Sequence, residues 1–117
     1  MIVVILVVKV VLVASDLEVA WLAGLIEGEG CFTLHSEKRH PYFLMDMTDQ
    51  DVLEKAATLF PNLFTLRGPY INKNKSQHKP RYRVDAFGPK CRELMTLVYP
   101  HMGARRHLKI DELRALD

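Results

Sequence analysis

Apolar and polar residues recur along this 117-residue chain with two periods, and the switches between them mark its elements. Ser15 followed by Glu18, just ahead of an apolar run, has the form of a capping box and predicts a helix beginning near Asp16. That helix should stop within Gly28 to Gly30. From Cys31 to about Glu37 the period becomes two, with Phe32 and Leu34 facing one way and Thr33 and His35 the other. His40 and Pro41 mark a turn. After them Phe43, Met45 and Met47 alternate with Tyr42, Leu44 and Asp46, so the two runs make a hairpin. Asp49 or Asp51 can cap the next helix, where Val52, Leu53, Ala56, Leu59 and Phe60 follow helical spacing until Pro61.

Phe64, Leu66 and Tyr70 suggest a third strand, and the polar loop from Asn72 to Pro80 leads to a fourth, on which Arg81, Arg83 and Asp85 alternate with Tyr82, Val84 and Ala86. After Gly88 and Pro89 a helix carries Cys91, Leu94, Met95, Leu97 and Val98 to a break at Pro100. A last amphipathic piece runs from about Ala104 to Leu116. The order is helix, hairpin, helix, hairpin, helix, an α+β pattern in a length suited to one core.

Residues 1–14 stand apart as an apolar extension ahead of a single domain at 15–117. They are almost wholly Val, Ile and Leu around Lys9, too short for the roughly 20 apolar residues that cross a bilayer, and without the basic lead of a secretory signal. No membrane partner is expected. A strand, an oligomer contact, or residues read from an upstream start all suit them, and the last two are favoured. Exposed, such a run is aggregation-prone.

The formal net charge is only +2, yet between Leu66 and Val84 there are six Lys or Arg and no acid. A local positive stripe of this kind points to an anionic partner. Cys31 and Cys91 are too few for a disulfide framework, which suits an intracellular protein with both thiols reduced, buried and inert. The five histidines lack zinc-ligand spacing.

The stretch WLAGLIEGEGCF, Trp21 to Phe32, carries the candidate chemistry. Ala20, Gly24 and Gly28 fall at i, i+4 and i+8 and form a small-residue groove along the first helix. Interior glycine costs about 1 kcal/mol relative to alanine, so a close helix neighbour is implied, and a second subunit is its natural source. Trp21 reads as a core or interface anchor. Glu27 and Glu29 sit at the negative end of that helix, where a bound divalent cation offsets their unfavourable placement. Two such helices side by side bring two carboxylates together, an arrangement suited to placing metals at a phosphate.

Leu22 to Gly30, LAGLIEGEG, resembles the signature of the LAGLIDADG homing endonucleases, with Glu in place of Asp at both acidic positions. The resemblance extends over Ser15 to Leu116 and implies an αββαββα domain whose four-stranded antiparallel sheet forms a saddle, with the helices on one face. It further implies a homodimer joined by the motif helices at Ala20, Trp21, Gly24 and Gly28, acting on double-stranded DNA. Glu29 takes the catalytic and metal-binding place, with the Gly28 carbonyl as a further metal ligand. Mg²⁺ is the implied cofactor, Mn²⁺ a substitute, and Ca²⁺ a cation that binds without supporting cleavage. Arg105, or Arg106 beside it, stands where relatives often carry a lysine. Asp49 stands where relatives often have a glutamine, a departure from the pattern.

On the saddle, Thr33, His35, Tyr42, Asp46, Arg67, Arg81, Arg83 and Asp85 face the groove and can read base edges. Lys73, Lys75 and Lys79 in the long loop suit phosphate. The expectation is a sequence-specific DNA endonuclease of the kind linked to intron or intein mobility. The alternative is a DNA-binding regulator or an RNA-splicing maturase that keeps the fold without cutting.

Overall fold

A computed structural model of the protein describes residues 2–35, 37, 39–74 and 78–116, with side chains from residue 16 onward. The elements in order are α1 (Ile2–Glu29), β1 (Cys31–His35), β2 (His40–Met47), α2 (Gln50–Leu59), β3 (Thr65–Tyr70), β4 (Arg81–Phe87), α3 (Pro89–Val98), a 3₁₀ turn (Tyr99–His101) and α4 (Ala104–Arg114). The strands form one antiparallel sheet in the order β1-β2-β4-β3. Placing the two hairpins' second strands together at the centre leaves β1 and β3 as edges.

One side of the sheet is apolar: Phe32, Phe43, Met45, Val84 and Ala86 pack with Leu22 and Ile26 of α1, Leu53 of α2, Leu94 and Met95 of α3 and Ile110 of α4 in a single core. The helices therefore lie on one face, and the other face is left to polar groups. The αββαββα order and the one-sided helix layer are as the sequence leads one to expect.

Three local expectations are corrected. The first helix does not start at a Ser15 cap, since one continuous helix runs from Ile2 to Glu29. An N-cap needs non-helical backbone, and the preceding residues contain no Gly or Pro to impose it. His40 and Pro41 are strand residues, and the turn of the first hairpin lies ahead of them. Cys31 is exposed rather than buried, whereas Cys91 is buried as expected.

Asp49 is the N-cap residue of α2, although its side chain makes no capping bond. Among the described residues no helix is long and apolar enough to cross a membrane.

Candidate functional site

The strand register gathers the polar residues on the uncovered sheet face. Thr33 pairs with Tyr42, Asp46 with Arg83, Arg83 with Arg67, and His35 with His40. Antiparallel partners share a face, so Thr33, His35, Tyr42, Asp46, Arg67, Arg81, Arg83 and Asp85 lie together there. Their charges are mutually organised. Arg83 binds Asp46 at two points, Nε to Oδ1 at 2.6 Å and Nη2 to Oδ2 at 2.9 Å, and Arg81 approaches the same carboxylate at 3.6 Å. The hydrogen bond from Arg83 lowers the Asp46 pKa and, reciprocally, raises that of Arg83.

Among the described residues Asp85 is the one charged residue found buried, and a single oxygen, Oδ2, accepts from Arg67 Nε at 2.7 Å and from the Tyr42 hydroxyl at 2.9 Å. Burial first, and then the Asp85 bond, raises the Tyr42 pKa. Residues Tyr42, Arg67, Arg83 and Asp85 line an open hollow of about 480 Å³ with His35 and Phe87, whose rings meet edge to face at 5.2 Å. The face thus offers guanidinium donors, carboxylate acceptors and ring edges in fixed positions, the groups that read bases.

Tyr70 is a contributor that strand alternation misplaces. Counting by twos from Leu66 assigns it to the core side, but an irregularity between Arg67 and Tyr70 shifts the phase and pairs it with Arg81. Its ring then lies 5.7 Å from the Arg81 guanidinium and 5.8 Å from that of Arg83. The Gly68-Pro69 pair was the available signal, since both residues disrupt strand pairing. Beyond β3, Lys73 and Lys79 are exposed on the connecting loop, and Lys75 lies outside the described residues.

The motif helix divides its glycines between two tasks. A Cβ built on Gly30 would sit 2.7 Å from the Phe43 ring and 3.0 Å from the Ile26 carbonyl, so Gly30 is required by packing within the chain. At Gly24 and Gly28 a Cβ would meet nothing within 4 Å. Both are exposed, as is Ala20, and Leu17 one turn earlier is 71% exposed. The stripe therefore faces outward with no tenant among the described residues. Trp21, half-buried at its margin, packs on the core and carries the Lys55 ammonium 4.3 Å from its ring centre.

At the end of this stripe Glu29 is exposed on the last residue of α1, next to Gly28, whose carbonyl belongs to the final turn that lacks intrahelical partners. Arg106 reaches this helix end, donating from Nη2 to the Glu27 carbonyl at 3.2 Å, while Arg105 is exposed beside a shallow hollow that Lys109 and Glu112 share. Among the described residues no cluster of three or more His, Cys, Asp or Glu is close enough to hold a metal. A carboxylate and a main-chain carbonyl at a helix C-terminus are hard oxygen donors that fit Mg²⁺ in kind.

A four-stranded antiparallel saddle sheet with all helices on one face, preceded by a motif helix of this form, is the fold of the LAGLIDADG homing endonucleases. Solved structures of the homing endonuclease I-CvuI share it: its complex with its own target in the presence of Ca, at TM-score 0.64 and 15% identity, and its complex with the I-CreI target in the presence of Mg, with DNA not cleaved, at TM-score 0.64 and 16% identity. Each alignment covers 88% of this chain and 68% of the other. No protein-family profile matches the chain, and no curated protein sequence does.

Proposed function

We propose that this protein is a sequence-specific, divalent-metal-dependent DNA endonuclease that acts as a homodimer on double-stranded DNA. The observation that carries the reading is the outward, untenanted stripe Ala20, Gly24, Gly28 that ends at Glu29. Glycines that cost helix stability and meet no neighbour among the described residues make sense where a second backbone approaches. Two copies meeting there set two Glu29 carboxylates side by side at one duplex.

In the working dimer Glu29 and the Gly28 carbonyl of each chain would hold Mg²⁺, with Mn²⁺ as a substitute and Ca²⁺ bound without turnover. The ion supplies charge neutralisation at the phosphodiester and a lowered pKa for water. Arg105 offsets negative charge developing on the phosphate, a role that suits a guanidinium better than proton transfer does. The sheet face reads base edges, and Lys73, Lys75 and Lys79 hold phosphates and set orientation. Fold likeness to enzymes bound to DNA supports the nucleic-acid partner.

A second reading keeps DNA or RNA binding without cutting. Asp49 favours it, because an acid rather than an amide stands at the β2 to α2 junction and its side chain is not used in capping.

The two readings separate in one experiment: a target is selected from a random duplex library by binding, then incubated with Mg²⁺ and wild type or Glu29→Gln. Cutting by wild type, lost in Glu29→Gln with binding kept, supports the nuclease. Binding without cutting by both supports the regulator or maturase.

A further inference from the structure

Gly103 is the N-cap of α4 with φ −79° and ψ 174°, an extended conformation open to any residue. Its backbone therefore gives no reason for glycine. Space bears on it: a Cβ there would lie 2.7 Å from Glu27 Oε1, the free end of a flexible side chain, so a larger residue would require that carboxylate to shift. Arg106, three residues on, closes the same contact from the other side. Its Nη2 donates to the Glu27 carbonyl at 3.2 Å, and its Nε stands 3.9 Å from Glu27 Oε2.

The Arg106 side chain is only 12% exposed, and both Nε and Glu27 Oε2 are buried without a hydrogen-bond partner among the described residues. At 3.9 Å the two charges attract without a direct hydrogen bond, and the Glu27 side chain stays 42% exposed, so the firm link is the bond from Arg106 Nη2 to the Glu27 carbonyl. The cation also lies at the C-terminal end of α1, where the helix dipole favours it.

We propose that Glu27, Gly103 and Arg106 form a positioning clasp that fixes the last turn of α1 against the first turn of α4, and so sets Glu29 relative to Arg105. Glu29 follows Glu27 by two residues and Arg105 directly precedes Arg106, so displacement of either half of the clasp moves a group at the scissile phosphate. Glu27 is then a positioning residue, and the first acid of the motif serves geometry. The inference rests on the nuclease reading above.

The test compares single-turnover cutting with Mg²⁺ and DNA affinity with Ca²⁺ for wild type, Gly103→Ala, Glu27→Ala, the Glu27→Ala/Gly103→Ala double variant, Arg106→Ala and Arg106→Lys. Loss of the Arg106 contact should slow cutting by about tenfold or more in Arg106→Ala, and Gly103→Ala, which displaces only the Glu27 carboxylate, should slow it no more than Glu27→Ala does, with affinity within about twofold of wild type in each. Because the added methyl of Gly103→Ala collides with Glu27, the double variant should cut no more slowly than Glu27→Ala alone. Arg106→Lys, which keeps the charge and one donor, should recover part of the rate.

Wild-type rates in Arg106→Ala, independent effects in the double variant, or rate and affinity falling together would overturn the clasp while leaving the nuclease standing. Wild type that binds DNA and does not cut would overturn the nuclease reading and the clasp with it. Should Gly103→Ala fail to fold, the Arg106→Ala and Arg106→Lys pair decides.

Discussion

Asp46 and Arg83 face each other across β2 and β4 in a two-point ion pair of 2.6 and 2.9 Å, and the carboxylate also draws in Arg81 at 3.6 Å. On the proposed DNA-reading face, an arginine whose Nε edge is already occupied would present a defined remainder to a base, with its charge toward DNA partly cancelled. Asp46→Asn should therefore tighten binding to random duplex, steepen its salt dependence and narrow the gap between target and non-target affinity. Paired binding titrations at several salt concentrations check this, and unchanged discrimination would contradict it.

The same pair has a pH signature. Its partner lowers the Asp46 pKa in the folded state, so the unfolded chain takes up the proton first as pH falls. The stability it contributes is complete above about pH 4 and is lost as pH drops through the lowered folded value. For a partly exposed pair that contribution is about 1 kcal/mol or less. Urea unfolding of wild type and Asp46→Asn should differ at pH 7, and the difference should shrink as pH falls below about 4.

The division of labour among the motif glycines yields opposed outcomes. Gly30→Ala forces a methyl against the Phe43 ring and the Ile26 carbonyl and should destabilise the fold by about 1–3 kcal/mol. At Gly24 a Cβ meets nothing among the described residues, so Gly24→Leu should leave the monomer folded while it blocks pairing of two copies. Thermal unfolding read beside sedimentation separates the two.

Lys73, Lys75 and Lys79 changed together to Ala should reduce the steepness of log affinity against log salt by about 0.9 for each phosphate that the loop no longer neutralises. An unchanged slope would remove the loop from the interface.

Under native conditions Cys31, exposed, should react with a thiol reagent, whereas Cys91, buried with its pKa pushed up to about 12 by desolvation, should not. Mass spectrometry should find one modification per folded chain.

Much of this arrangement is legible in the chain because periodicity reports faces directly. The alternation Tyr42, Leu44, Asp46 against Phe43, Met45, Met47 survives intact, since one buried face fixes strand register. What periodicity misses has physical reasons. The irregularity after Arg67 inverts Tyr70, a phase slip that counting by twos cannot register. The α1 start at Ile2 overrides the Ser15 signal, because a cap motif acts only where the backbone leaves the helix. Asp85 reads as another exposed strand acid until the fold brings Tyr42 and Arg67, distant in sequence, around it. The contact of Arg106 and Gly103 with Glu27 joins opposite ends of the domain and leaves no local trace in the sequence.

The most direct test of the central claim, that two chains join through the Gly24 stripe to serve one duplex, is sedimentation equilibrium of the protein with its selected DNA. The expected mass is that of two chains per duplex for wild type, falling to one or none for Gly24→Leu. One wild-type chain per duplex with cutting intact would contradict it.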